Sequence, residues 1–285
     1  MAINLTTKYA STIEKLYTHT SFLRAHCKAN VEMTGAKTCR VYMLNTTPVV
    51  DYTRNGNSRY GEVKDVQDTV VEYMMTQDKS FTGVVDKGDE SEQAISNKSG
   101  QWLRQQIAEQ CVPTGDKYGF ARIAKLGHIA GVTAEPTKST IVTMVYDAAT
   151  YMDEHLVPEN GRVLFVRAKD YPKIILSDEW HGLDSLAGKQ LPTGTVGQIA
   201  GFTVVKVPSN MFPTDVYMVA AQESALAFPY RINDTKIHQD PPGISGALIE
   251  GRQTYDLFVL ASKADAVVVI GKDGSKQACT VAIAS

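Results

Sequence analysis

The sequence has little cysteine and no long hydrophobic run. Its four cysteines, Cys27, Cys39, Cys111 and Cys279, lie far apart in the 285 residues, which excludes a disulfide framework and is typical of reduced structural thiols. No stretch approaches the roughly 18 apolar residues that span a bilayer, and the N-terminus has no basic and then apolar signal region. These absences predict a soluble protein that is made in the cytosol and has no membrane partner.

An excess of positive charge is also missing. The net charge is -2 and the isoelectric point is about 6.3, whereas a protein that works by neutralising phosphates is strongly basic. We therefore expect any nucleic acid to be enclosed by this protein rather than gripped by it. The length permits one large domain or two ordinary ones, and either would bury about 75% of the surface of the unfolded chain.

No catalytic or cofactor motif has the context that its chemistry needs. The glycine-rich residues 194–201 precede a predicted strand and lack a following Gly-Lys-Ser/Thr, so they are not a phosphate-binding loop. Residues 243–246 lack the spacing of a nucleophile elbow. His19, His26 and Cys27 have no matching pair for a metal, and the acidic residues from 86 to 92 lack calcium-loop spacing. The sequence predicts no catalytic residue, no cofactor and no metal site.

The strongest pattern lies between residues 69 and 118. Alternating side chains in residues 69–75 predict a strand, and the polar residues 76–80 predict a turn. Residues 81–85 resume the alternation, so the pattern predicts a hairpin.

A helix follows this predicted hairpin. Asp89 and Glu92 have the spacing of a helix cap with a reciprocating carboxylate. Pro113 removes an amide and predicts an end or a kink. The apolar side chains at helical spacing are Ile95, Trp102, Leu103, Ile107 and Cys111.

Residues 37–87 form a long extended excursion with strands predicted from Thr38 and at residues 48–52. Because a two-stranded ribbon is marginal alone in water and has unpaired edges, we expect another chain to stabilise it. The alternative is a hairpin that folds back on its own domain. The tip, residues 53–64, is a polar loop without a core, so its longer side chains are predicted to contact a neighbouring subunit. These predicted assembly residues are Arg54, Arg59, Tyr60 and Lys64.

The remaining segments are an arm and a strand-rich second half. Residues 1–34 carry only a modest amphipathic signal at Ile13, Leu16, Tyr17 and Leu23, so this arm needs another surface to order it. Residues 140–156 predict a helix, 182–201 and 234–246 predict loops, and 222–228 predict a short helix. The predicted strands are residues 162–166, 202–207, 216–220, 254–261, 266–270 and 277–283.

Several segments in this order resemble the major capsid proteins of tailed bacteriophages with the HK97 fold, especially those of phages of Gram-positive bacteria. None of the segments is a catalytic signature, and the specificity comes from their order and spacing over most of the chain. The segments are Gly35-Ala36-Lys37-Thr38, Asp51-Tyr52, Arg59-Tyr60-Gly61, Thr76-Gln77-Asp78-Lys79-Ser80-Phe81, Val85-Asp86-Lys87, Arg104-Gln105, Val112-Pro113, Asp116-Lys117-Tyr118, Gly201-Phe202-Thr203-Val204 and Tyr255-Asp256-Leu257-Phe258-Val259.

The resemblance implies an α+β, HK97-like capsid fold. Residues 1–34 would be the N-terminal arm and 35–87 the extended E-loop hairpin. The peripheral domain with its long spine helix would comprise 88–135 and 232–254, and the axial domain 136–231 and 255–285.

The function implied is self-assembly into an icosahedral shell that encloses a double-stranded DNA phage genome. The implied partners are other copies in hexamers and pentamers, a portal protein and a separate scaffolding protein. A separate scaffold is implied because the chain lacks a long helical N-terminal extension, and the alternative is that the chain has been processed. Such a protein would be made in the host cytoplasm and end in the virion capsid. Two alternatives stay open: an encapsulin-like compartment, and a cytosolic α/β enzyme with a pocket at residues 182–201.

Overall fold

A mixed six-stranded sheet forms the centre of the second half of the chain. The computed structural model describes residues 20–29, 31–35, 37–44, 46–55, 59–62, 65, 68–86, 99–177 and 195–273. In spatial order the strands are β5 (His128–Val132), β14 (Val267–Lys272), β9 (Val216–Gln222), β6 (Arg162–Arg167), β8 (Phe202–Val207) and β7 (Thr195–Ile199). The pairs β5–β14 and β6–β8 are parallel, and the others are antiparallel.

Helices cover both faces of this sheet, because successive strand side chains point to opposite sides. Val163 and Phe165 of β6 point into one core, which contains residues of α2 (Val112–Leu126). Leu164 and Val166 point into a second core with α3 (Ile141–Glu154) and α4 (Tyr171–Ile175). Burial on both faces explains why residues 163–166 of this strand are all apolar instead of alternating with polar residues.

A second sheet has three long antiparallel strands. Its order is β11 (Tyr230–Gln239), β12 (Gly246–Tyr255) and β4 (Gln77–Asp86). Helix α1 (Ser99–Gln106) packs on it through Trp102, whose ring centroid lies 6.3 Å from that of Phe81. A Cβ added at Gly83 would come within 2.6 Å of the Trp102 ring. Glycine at this position therefore permits the close packing of helix and sheet.

The remaining strands form a ribbon and a short pair. The ribbon consists of β1 (Glu32–Thr34), β2 (Thr38–Leu44) and β3 (Asp68–Met74), paired in that order. The short pair is β10 (Leu226–Ala227) with β13 (Phe258–Val259). Of the predicted extended excursion, residues 37–87, strands β2 and β3 belong to the ribbon and β4 belongs to the second sheet, and the described part of residues 1–34 contributes β1 to the ribbon.

The predicted hairpin between residues 69–75 and 81–85 is wrong. Strand β3 pairs with β2, whereas β4 pairs with β12 over ten residues, so the chain passes from one sheet into another. The polar residues 77–80 predicted a turn but belong to β4, where Asp78 bonds Arg252 of the neighbouring strand. Tertiary pairing here outweighs the local turn preference.

The helix does not end at Pro113. Helix α1, a π-helical turn at Ile107–Cys111 and helix α2 follow one another without a break, and we call residues 99–126 the long helix. The Val112 amide donates to the Ile107 carbonyl, five residues back, and this wider turn accommodates the proline, which has no amide to donate. The residues predicted to start the helix near Asp89 lie outside the described part of the chain.

Of the other predicted elements, some are confirmed and some are wrong. The helix at 140–156 and the strands near 162, 202, 216 and 266 are confirmed, and residues 222–228 hold one 3-10 turn followed by β10. Residues 48–52 form no strand, and Val49 is fully exposed. The predicted loops are wrong at 195–199, which is β7, and at 234–239, which belongs to the edge strand β11, where the side chains of residues 235–239 are exposed. Residues 277–283 lie outside the described residues.

Candidate assembly surface

One face of the ribbon is apolar and exposed. Tyr42 of β2 lies directly opposite Val70 of β3, and their side chains are 57% and 44% exposed. Met74, on the same face two pairs along, is 68% exposed. Between them Arg40 donates to Glu72 at 2.7 Å across the ladder. We call this surface, with Tyr42, Val70 and Met74, the outer face of the ribbon.

The opposite face anchors the ribbon to the rest of the chain. Cys39 and Met75 are buried in a small core with Ala227 and Phe258 of the β10–β13 pair. The Tyr73 ring packs on Phe258 with 5.0 Å between ring centroids. Burial, and then the nearby carboxylate of Asp256, raises the pKa of the Cys39 thiol, which stays protonated. The anchored face is therefore structural, and the outer face is left for contacts beyond the subunit.

A buried carboxylate fixes the point where the ribbon meets the long three-stranded sheet. Asp256 is fully buried and accepts hydrogen bonds from the Thr76 amide at 2.9 Å and the Thr76 hydroxyl at 2.7 Å. The Tyr118 hydroxyl donates to its other oxygen at 2.9 Å, and the Leu257 amide donates at 2.7 Å. Burial raises the pKa of the Tyr118 phenol, so it remains a donor. Thr76 lies between β3 and β4, so this network holds the junction of the two sheets to the long helix.

A surface ion-pair cluster lies beside this junction. Arg252 donates to Asp78 through two nitrogens, at 2.8 and 2.6 Å, and Lys37 contacts the same carboxylate at 2.8 Å. Lys37 precedes β2, Asp78 lies in β4 and Arg252 in β12. Hydrogen bonds from Arg252, and then from Lys37, hold the pKa of Asp78 well below its usual range. The cluster therefore links the ribbon to the three-stranded sheet by charge.

The structure brings three of the predicted tip residues together. The Arg59 carbonyl accepts from the Thr53 amide at 3.1 Å, which closes the described part of the tip, and Arg54 lies next to that contact. Tyr60 is 86% exposed and packs edge-to-face on Tyr52 at 5.1 Å. Lys64 lies outside the described residues.

The segment from residue 20 to 29 is attached to the long helix. The buried Asp116 accepts from the Ser21 hydroxyl at 2.5 Å and from the Phe22 amide at 2.8 Å. Leu23 is fully buried, and a Cβ at Gly119 would come within 2.4 Å of its side chain. Burial raises the pKa of Asp116. This part of the predicted arm is thus ordered by its own subunit, while Ile13, Leu16 and Tyr17 lie outside the described residues.

Other kinds of site are not found in the described part of the chain. No group of three histidine, cysteine or acidic side chains lies close enough there to hold a metal ion. None of the described helices is long and apolar enough to cross a membrane. The pocket suggested for an enzyme at residues 182–201 falls largely outside the described residues, and of the described part, 195–201, residues 195–199 form strand β7.

Solved bacteriophage structures share this architecture. No family model and no curated protein sequence matches the chain. A solved structure from Mycobacterium phage Che8 is 21% identical with a TM-score of 0.70, covering 94% of this chain and 98% of that chain. The capsid structure of the cyanophage P-SCSP1u is 12% identical with a TM-score of 0.68, covering 94% and 93%. The mature capsid of bacteriophage PhiM1 is 13% identical with a TM-score of 0.67, covering 94% and 91%.

The chain has a bacteriophage capsid fold. The match covers nearly the whole length of both chains, so the fold includes the ribbon as well as the two sheets. The predicted mixed helix-and-sheet architecture is therefore confirmed.

Sequence reasoning missed the residues that hold the ribbon at its base, namely Asp256, Thr76, Asp78 and Arg252. A signal was present, because the first three of these lie inside segments that carry the resemblance to capsid proteins. Their roles were hidden, since Thr76 and Asp256 are 180 positions apart and meet only in the folded chain.

Proposed function

We propose that this chain is a major capsid protein that self-assembles into an icosahedral shell around the double-stranded DNA genome of a tailed bacteriophage. The observation that carries the proposal is the outer face of the ribbon, where Tyr42, Val70 and Met74 are exposed on either side of the Arg40–Glu72 pair. Exposed apolar side chains grouped on one face of a sheet are typical of a protein–protein interface. The capsid fold gives the partner, which is another copy of the same chain.

The proposed division of the chain follows the HK97 plan. Residues 1–34 are the N-terminal arm and 35–87 the E-loop. Residues 88–135 with 232–254 are the peripheral domain, which contains the long helix and the β11–β12 strands. The axial domain, 136–231 with 255–285, contains most of the six-stranded sheet.

The proposed partners follow from a closed shell. Copies of the chain form hexamers and pentamers, one vertex carries a portal protein, and a scaffolding protein guides assembly. The mature location is the virion capsid, after assembly in the host cytoplasm. The protein encloses DNA without reading its sequence and catalyses no reaction.

Electron microscopy of concentrated, purified protein, with and without a scaffolding protein, tests the proposal. We expect oligomers, capsomers or closed shells, because capsid interfaces are large and obligate. A single monomeric species in light scattering across protein and salt concentrations, with no shells in either preparation, would overturn it.

The tip of the ribbon provides a more specific test. Replacing residues 53–64 with a Gly-Ser linker removes Arg54, Arg59, Tyr60 and Lys64 together. Loop tips tolerate such changes, so circular dichroism and thermal melting should match the wild type. Closed shells should be absent in micrographs, whereas normal shells would show that these four residues make no assembly contact.

A further inference from the structure

The long helix and α3 expose charges of opposite sign. Every charged residue that the described long helix exposes is basic. Every charged residue that α3 exposes is acidic. We call the first set the basic face, comprising Arg104, Lys117 and Lys125, and the second the acidic face, comprising Asp147, Asp153 and Glu154. Helices α2 and α3 pack on opposite sides of the six-stranded sheet, so Lys117 and Lys125 point away from the acidic face.

Among the described residues, no carboxylate forms an ion pair with the basic face. The carboxylates that contact the long helix, Asp116 and Asp256, are 1% and 0% exposed and are occupied by internal hydrogen-bond donors. Glu109 is only half-buried, but it forms no ion pair with the basic face within the described residues. Arg24, on the segment that is bonded to Asp116, adds another exposed cation and lies over the Tyr230 ring at 3.9 Å.

We infer that the basic face points into the shell and contacts the phosphates of the enclosed double-stranded DNA, while the acidic face points outward. This inference rests on the proposed function. A net charge of -2 hides the asymmetry, because it sums two surfaces of opposite sign. A duplex presents one phosphate per strand about every 3.4 Å along its axis. Lys117 and Lys125, about 12 Å apart along a helix with a 1.5 Å rise per residue, can therefore both contact one duplex.

The contacts are weak, repeated and independent of sequence. Exposed lysine and arginine side chains bind phosphates through charge and counterion release, which carries no information about the bases. Each subunit contributes only three such groups, so the contact positions DNA against the wall without binding it tightly. Acidic residues on the outward layer would repel DNA and so favour the same orientation.

Crosslinking in DNA-filled particles of the wild-type protein tests the orientation. Formaldehyde joins lysine amines to nearby base amines, and mass spectrometry then identifies the attached peptides. We expect Lys117 and Lys125 among the DNA-linked residues and Lys236 absent, because Lys236 lies on the face of the three-stranded sheet opposite to the one that Trp102 covers. Crosslinks at Lys236 but not at Lys117 or Lys125 would overturn the inference, even if shells form normally.

Charge variants of the full chain give an independent measurement. Arg104→Gln, Lys117→Gln and Lys125→Gln are combined in one variant, and Asp147→Asn with Glu154→Gln forms the matched control on the acidic face. Binding to a linear double-stranded DNA fragment is measured against salt concentration. The basic-face variant should lower the magnitude of the slope of log K against log salt by up to about 0.9 for each lost contact, and the control should not lower it.

The outcomes separate the inference from the proposed function. Absence of shells from wild-type protein contradicts the capsid proposal. Shells that form and fill, together with an unchanged salt slope in the basic-face variant, contradict the inference alone. Circular dichroism confirms that each variant is folded before binding is compared.

Discussion

The six-stranded sheet and the ribbon use similar strand residues for different purposes. Every residue of β6 and of β9 is buried, whereas β3 has no buried residue although it contains Val70 and Val71. The difference lies in what covers the strands, since helices α2 and α3 close both faces of the sheet and no element covers the outer face of the ribbon in the described residues. Apolar strand residues thus stabilise the fold in one region and remain available for assembly in the other.

The largest effect is expected in the sheet. Phe165 of β6 is fully buried against α2 and packs edge-to-face on Phe120 at 5.3 Å. Phe165→Ala should lower the free energy of unfolding by about 3–5 kcal/mol, through lost burial and the cavity that remains. Chemical denaturation followed by circular dichroism measures this loss. A loss as small as that of a surface change would mean that the sheet core is not the main source of stability.

The junction between the two regions should give an intermediate effect. Asp256→Ala removes the acceptor of Thr76 and Tyr118 and should cost about 1–3 kcal/mol for the buried groups left without partners. Tyr118→Phe removes a single donor and serves as the matched control, with a loss of about 1 kcal/mol. Denaturant unfolding measures the loss of unfolding free energy in each variant. Equal losses would show that the Thr76 contacts contribute nothing.

The ion-pair cluster should give a smaller effect that depends on pH. Arg252 and Lys37 depress the pKa of Asp78 in the folded state, so its stabilising contribution is present above the unfolded carboxyl pKa of about 3.9 and is lost as pH falls toward the folded value. The melting-temperature difference between wild type and Asp78→Asn should be constant above about pH 5 and shrink in acid. Arg252→Gln should lower the melting temperature less when it is added to Asp78→Asn than when it is made alone, because the two residues share an interaction. A melting-temperature difference that grows as the pH falls would contradict the expected pH dependence.

The smallest effect on folding is expected at the outer face of the ribbon. Tyr42→Ser with Val70→Thr should change the free energy of unfolding by no more than about 0.5 kcal/mol, because these side chains are exposed in the subunit. Electron microscopy should nevertheless show no closed shells. Tyr146→Ser, at a similarly exposed tyrosine on α3, is the control and should assemble normally. Closed shells formed by the ribbon variant would show that the outer face of the ribbon is not needed for assembly.

The parts of the fold that were predicted correctly depend on local pattern. Helix α3 and strands β6, β8 and β9 have a clear period or a continuous apolar run, and the structure confirms them. The errors occur where a distant partner decides the conformation. Residues 77–80 become a strand because β12 pairs with them, and residues 48–52 have no such partner among the described residues and stay irregular.

The candidate site was predictable only in its general character. The sequence indicated an exposed ribbon with polar residues at its tip, and Arg54, Arg59 and Tyr60 do lie together and are exposed. It did not indicate which face of the ribbon is apolar, because that depends on the register in which Tyr42 meets Val70. A shift of one residue would turn these side chains to the opposite face.

The π-turn at Ile107–Cys111 gives the long helix two independent directions. A π-turn contains about one residue more than an α-turn, and one residue corresponds to about 100° of rotation about the helix axis. Helix α1 directs Trp102 at Gly83 of the three-stranded sheet, while α2 directs Phe120 into the core of the six-stranded sheet. Deleting one residue between 107 and 111 would rotate one half of this helix relative to the other. Each half would keep its own sequence and helicity, but the two halves could no longer pack on both sheets at the same time.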